Sequence, residues 1–237
     1  MGYWKLDEST WNNACYDQLR DVKDSSGLHY DGMSCPIYTG PTTPVPGKFG
    51  NAGYFDGVND YIRIPASMPE LNNTPQFSIS FWIKIDSAAD CKPGSWNYTG
   101  IIARGNGSVS GWRVYFKNIP ASNLCFINAD VTGSGGTSPE FTNHSVITPG
   151  SWHHVVVTYG GNGFPLSIYQ DGGVNGGADE SITPAVNYLQ HSGSLDIGWL
   201  SNANPFKGYL DDVRVYNRAL IPSEVRALYG SSGGGCL

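Results

Sequence analysis

The chain has 237 residues, a net charge of −6 and only 14% charged positions. Its Lys and Arg are scattered singly, so no basic stripe exists to neutralise a phosphate backbone, which argues against nucleic acid as a partner. With 31 Gly and 13% aromatic residues, the composition fits short strands joined by tight turns and disfavours a helical bundle. No run approaches the roughly 18 apolar residues of a membrane span, and Met1 to Leu6 lack the apolar core of a signal peptide.

Strand-like runs follow one another with turn residues between them: Gly53 to Phe55, Tyr61 to Ile64, Phe77 to Ile85, Gly100 to Arg104 and Trp112 to Lys117. The series continues with Leu124 to Asn128, Trp152 to Tyr159, Leu166 to Gln170, Leu195 to Gly198 and Gly208 to Tyr216, enough for two packed sheets. In Phe77 to Ile85 the odd positions are apolar and the even ones mostly polar, the period-two signature of a strand with one buried face. Asp171-Gly172-Gly173 reads as a hairpin turn, since glycine supplies the positive φ such turns require. Pro36 to Gly47 and Thr132 to Pro139, rich in Pro, Thr, Ser and Gly, read as long surface loops. One helix is predicted, Ser223 to Tyr229, between Pro222 and Gly230. Residues 1–230 then form one domain and 231–237 a flexible tail that holds Cys236.

The other cysteines are Cys15, Cys35, Cys91 and Cys125, with neither a C-x-x-C spacing nor a nearby histidine to complete a zinc signature. Disulfides are the reading taken, with free thiols in a reducing compartment as the alternative. Four cysteines allow three connectivities. Local pairing, Cys15 with Cys35 and Cys91 with Cys125, is the expected one, and it places the chain in an oxidising compartment, extracellular or at a cell surface.

Several segments together resemble one family. Trp4-Lys5-Leu6-Asp7-Glu8, Asp24-Ser25-Ser26-Gly27 and the run from Gly47 through Phe55-Asp56-Gly57 to Ile62 are similar to the opening of laminin-G-like domains of the concanavalin A-like lectin/glucanase superfamily. Trp152-His153-His154-Val155, Tyr169-Gln170-Asp171-Gly172 and Gly208-Tyr209-Leu210-Asp211-Asp212-Val213 through Leu220 are similar to its later strands, in the same order. The resemblance implies an all-β fold, a two-sheet antiparallel jelly-roll sandwich with a short C-terminal helix and with the first and last strands side by side. The two cysteine-bearing loops depart from the pattern as insertions. Members of this superfamily bind glycans, proteins or calcium, and some relatives hydrolyse polysaccharides, so function has to be argued from the site.

A glycosidase needs two facing carboxylates. The glutamates, Glu8, Glu70, Glu140, Glu180 and Glu224, all fall in predicted loops, turns or the helix, and Asp211 and Asp212 are expected on opposite faces of their strand. No enzyme is therefore expected. His153 and His154 head a strand and read as packing support rather than as a base. Asp24, near the first strand, and Asp211, on the last, are the candidate calcium ligands, because a hard cation wants oxygens converging from several elements; otherwise Asp24 is a turn acid. In place of a pentraxin-like calcium loop the chain offers amides and aromatic rings, which suit a neutral sugar. The ligand residues expected are Asn106, Trp112, Trp199, Asn202 and Asn204. The partner expected is a glycan or other cell-surface ligand. The rival reading is a structural, protein-binding head domain of a pilin-like or surface-fibre subunit, which contacts other subunits of its assembly.

Overall fold

The computed structural model describes the chain apart from residues 16–18, 37–38, 66–67, 73–74, 92–97, 106–110, 118–123, 135, 139–140, 142–144, 185–186, 189–192, 201–202 and 232–237. The early strands are β1 (Gly2–Trp4), β2 (Met33–Cys35), β3 (Thr42–Pro46), β4 (Asn51–Asp56), β5 (Tyr61–Ile64) and β6 (Phe77–Lys84). There follow β7 (Tyr98–Gly105), β8 (Gly111–Lys117), β9 (Cys125–Ser134), β10 (Gly136–Thr137), β11 (Val146–Ile147) and β12 (His153–Tyr159). The chain closes with β13 (Leu166–Gln170), β14 (Glu180–Ile182), β15 (Asn187–Tyr188), β16 (Leu195–Ile197) and β17 (Lys207–Tyr216). The helices are a single turn, α1 (Pro69–Asn72), and α2 (Pro222–Gly230).

These strands make two antiparallel sheets. An eight-stranded sheet runs β14-β13-β12-β6-β17-β4-β3, with β1 also pairing with β17, and a nine-stranded sheet runs β10-β9-β8-β7-β16-β5-β2, with β11 and β15 on β9. The ends of the chain meet as expected: Gly2, Tyr3 and Trp4 pair with Val215, Arg214 and Val213. The two sheets face each other across one core. Period-two alternation sends Phe77, Ile79, Phe81, Ile83, Val155, Val157, Leu210 and Val215 inward from one sheet and Ile62, Ile64, Val114, Phe116, Ile127, Leu195 and Ile197 from the other. Each such side chain contributes about 1.5–3 kcal/mol by leaving water.

Helix α2 lies on the outer face of the eight-stranded sheet. Val225 and Leu228 pack there against Val156, Tyr169, Tyr216 and Leu220. Pro222 occupies its first turn, and Glu224 reaches back to accept the Ile221 N–H at 3.0 Å while pairing with Arg218 at 2.7 Å. The capping residue Ile221 has no side-chain acceptor, so Glu224 supplies the cap.

Both expected disulfides are present, Cys15–Cys35 and Cys91–Cys125. Three local expectations are corrected. The stretch Pro36 to Gly47, read as a loop, contains β3; it is a sheet-edge strand, where Pro44 and Pro46 are tolerated because no N–H is needed on that side. Within the stretch Thr132 to Pro139, also read as a loop, Thr132 and Gly133 at the end of β9 pair with Thr137 and Gly136 of β10. Asp211 and Asp212 do not point to opposite faces. The register of β17 against β6 shifts between Asp211 and Arg214, and Asp212 takes a positive φ of 50°. Leu210 and Val213 are both core residues, so the bulge leaves the two acids between them on the outer face together.

Candidate functional site

The outer face of the nine-stranded sheet carries a straight row of side chains. Register places Met33, Arg63, Asp196, Ala103, Arg113 and Asp130 side by side on β2, β5, β16, β7, β8 and β9. Their chain neighbours Ile62, Ile64, Leu195, Ile197 and Val114 are in the core, so alternation alone turns this row outward. Within it two arginines each grip a cross-strand aspartate with both carboxylate oxygens. Arg63 donates from Nε and a terminal nitrogen to Asp196 at 2.8 and 2.9 Å. Arg113 Nε lies 2.8 Å from both oxygens of Asp130. Burial opposes the Arg113 charge, yet its bond to Asp130 holds its pKa above the ordinary arginine value.

Each pair is flanked by two rings at nearly right angles. Tyr61 meets Trp199 at 5.2 Å and 85°, and Arg63 sits 5.0 Å over Tyr61. Tyr98 meets Tyr115 at 5.0 Å and 79°, and Arg113 sits 5.3 Å from Tyr115. The same unit is thus built twice on one face. The copies differ in access: the Arg63 and Asp196 side chains are 42% and 24% exposed, against 19% and 2% for Arg113 and Asp130. The first is open to a ligand, and the second braces the sheet.

Trp199 is held in place by the loop that joins β16 to β17. Gly198 bends the chain at a φ of +89°, and Leu200 and Ala203 pack on Ala103. Asn204 pins the loop to β7, donating to the Tyr98 carbonyl from its backbone at 2.9 Å and its side chain at 3.1 Å. A Cβ on Gly100 would lie 2.3 Å from that of Leu200, so only glycine lets this loop lie so close to the sheet. From the opposite side, Cys15 Sγ touches the Tyr61 hydroxyl at 3.4 Å, so the Cys15–Cys35 bridge backs the Tyr61 ring.

Of the ligand residues expected from sequence, Trp199 lies at this open unit and is partly exposed. Trp112 is in the core, 3% exposed and stacked on Phe77 at 5.1 Å, so its ring presents no face to a ligand. Asn204 is a buried strut. Asn106 and Asn202 lie outside the described residues. Arg63, Asp196 and Tyr61 were missed, although the polar positions in Tyr61-Ile62-Arg63-Ile64 and Leu195-Asp196-Ile197 carry the signal, being the outward members of alternating strands.

The candidate calcium acids are differently placed. Asp24 Oδ1 accepts the N–H groups of Tyr3 and Ser26, and Oδ2 accepts the Ser26 hydroxyl and the Tyr30 N–H, at 2.8 to 3.0 Å, so protein donors already satisfy it. Asp211 Oδ2 accepts the N–H groups of Lys48 and Phe49 at 2.8 and 3.0 Å, while its Oδ1 is buried without a hydrogen-bond partner. Burial pushes the Asp211 pKa up to about 7. Among the described residues, no group of three or more His, Cys, Asp or Glu is placed to hold a metal ion. His154 is buried against Trp82 and Ser80, its pKa pushed down to about 3 by burial. His153 ties Asp171 to Thr148. Both histidines act as packing and turn supports.

The pattern of the laminin-G-like family described as the concanavalin A-like lectin/glucanases superfamily matches residues 56–226. The chain belongs to that superfamily. Among curated proteins no sequence matches. Among solved structures, domain 4 of AbnA, a GH43 extracellular arabinanase from Geobacillus stearothermophilus, in complex with arabinotriose, is similar with a TM-score of 0.66 and 21% identity, covering 96% of this chain and 97% of that one. The botulinum neurotoxin type G receptor binding domain is similar with a TM-score of 0.59 and 20% identity, over 88% of this chain and 48% of that one. The binding domain of Paraclostridial Mosquitocidal Protein 1 gives 0.65 and 16%, over 94% and 52%. This superfamily member therefore spans about half the length of the two toxin domains, and identities this low establish the shared fold alone.

Proposed function

We propose that this domain is an extracellular, non-catalytic carbohydrate-recognition module whose contact site is the open unit of Trp199, Tyr61, Arg63 and Asp196. The observation that carries the reading is the bidentate Arg63–Asp196 pair half-exposed beside the rings. A sugar offers apolar C–H faces and rows of hydroxyls; the rings suit the first, and a donor fork beside an acceptor suits the second. The pair has no net charge, which favours a neutral glycan. The arabinotriose complex of the AbnA domain and the receptor-binding roles named for the toxin domains are in keeping with this reading. The two disulfides support an oxidising, extracellular location. A binding role without catalysis is supported by the glutamates: Glu8, Glu70, Glu180 and Glu224 are each engaged by local protein donors.

A glycan array probed with the isolated domain tests the reading. Binding to a neutral glycan, lost in Trp199→Ala and Arg63→Ala, supports it; silence across the array overturns it. A calcium ion remains a separate proposal, now resting on the unpartnered Asp211 Oδ1 and not on Asp24. Its test is a melting curve in calcium and in chelator. A ligand of the folded state adds about 2.7 kcal/mol at a hundredfold excess over its Kd, and identical curves overturn the proposal.

A further inference from the structure

The eight-stranded sheet is covered over only part of its outer face. Helix α2 packs over Val156, Tyr169 and Tyr216. Beyond it, register aligns Thr42, Tyr54, Tyr209 and Lys84 on β3, β4, β17 and β6, and Trp152 precedes His153, whose partner is Ile83. Continuing that register sets Trp152 opposite Lys84. Tyr54, Tyr209, Lys84 and Trp152 are all partly exposed, while the adjoining Phe55, Leu210 and Ile83 are fully buried.

We propose that this row is a second glycan-contact surface, on the opposite side of the sandwich from Trp199, which takes an extended chain of neutral sugars. The proposal rests on the reading of the domain as a carbohydrate-recognition module. Three large rings gather there from separate elements: Tyr54 lies 5.0 Å from Tyr209, and Trp152 lies 6.3 Å from Tyr209. Between them the Lys84 ammonium sits 4.4 Å from the Tyr209 ring and 6.0 Å from that of Trp152, fixing the cluster from within. Strands lie about 4.8 Å apart, so Tyr54 to Trp152 covers three steps, roughly 14 Å, the length of a few sugar rings in line.

Charge selects among ligands. Lys84 faces Asp86 at 3.9 Å, Lys207 holds Asp90 at 3.1 Å, and the Tyr209 hydroxyl donates to Asp86 at 3.3 Å. Two cations against two anions leave no surplus to attract an acidic or basic ligand, yet they border the rings with donors and acceptors for hydroxyls. With one surface on each outer face, a single domain holds two chains at once, and linked contacts strengthen retention on a polymer without any new contact.

The experiment is calorimetric titration of the domain with cellohexaose, xylohexaose and linear arabinohexaose, using folded variants checked by thermal melting. The expected result is two sites per chain for a hexasaccharide that binds, falling to one in Tyr54→Ser/Tyr209→Ser and remaining two in Tyr209→Phe, which keeps the ring. One site per chain, abolished by Arg63→Ala and untouched by the tyrosine variants, overturns the second surface and leaves the Trp199 site standing. Heat lost only in the tyrosine variants supports the second surface and rejects the first. No binding of any hexasaccharide overturns the proposal, as does a dimer in sedimentation that Tyr209→Ser disperses without any sugar response.

Discussion

The outer faces of the two sheets are built by the same alternation but end in different environments. On the eight-stranded sheet, Lys48 and Phe49 lie over Asp211, β1 over Asp212 and Arg214, and α2 over His154, until each is no more than 6% exposed. On the nine-stranded sheet the Arg63–Asp196 pair stays half open to water. The difference shows that a charged residue facing outward on a strand becomes structural or available according to which other segment of the chain folds over it. Under the cover, charges are knitted together: the Tyr3 hydroxyl donates to Asp212, Arg214 lies 3.5 Å from Asp212, and its guanidinium stacks 4.2 Å over Tyr3.

Breaking the covered network is expected to have the largest effect. Arg214→Met leaves Asp212 buried without its cation, at a cost of about 3–5 kcal/mol in denaturant unfolding; a loss under about 1 kcal/mol would show that the covered and open faces are energetically alike. Next comes the Cys91–Cys125 bridge, which spans 34 residues. Replacing both cysteines with serine is expected to lower stability by on the order of 3 kcal/mol, through the freedom returned to the unfolded chain.

A third test uses pH. Asp211 and Asp60 both have pKa values raised to about 7, by burial first. An ordinary aspartate titrates near 3.9 when unfolded, so the folded state binds protons more tightly between those values. The stability these groups contribute is fully present below about pH 4 and is lost as pH rises through 7. Asp211→Asn, melted in chelator from pH 4 to 8, is expected to flatten that decline; an unchanged slope would remove Asp211 as its source. The smallest stability effect belongs to the open face. Arg63→Ala is expected to change stability by no more than about 1 kcal/mol, as for other exposed pairs, while glycan affinity falls about tenfold, equivalent to roughly 1.4 kcal/mol. Titration and melting on one sample check both halves.

Much of this was legible in the chain. Phe77 to Ile85, Tyr61 to Ile64, Leu166 to Gln170 and the helix at Ser223 were readable because their periodicity is local, and both disulfides followed from the cysteines flanking two loops. The site was read less well. Trp199 is partly exposed on the outer face, but Trp112, equally aromatic and also next to a loop, stacks on Phe77 in the core. Residue type does not distinguish the two: Trp112 falls on the inward side of β8, whereas Trp199 lies in the loop after β16. Even on a strand a bulge can reset the side, as Asp212 shows.

The amino-acid sequence by itself determined the long core strands, the family and the oxidised cysteine pairs, since hydrophobic alternation, turn residues and loop-flanking cysteines act over short stretches of chain. Tertiary structure alone decided which outward residues meet. Arg63 and Asp196 are 133 positions apart and touch only because β16 lies beside β5. Whether such a pair is open or sealed depends on what packs above it, and that is a property of the closed sandwich that no local pattern encodes.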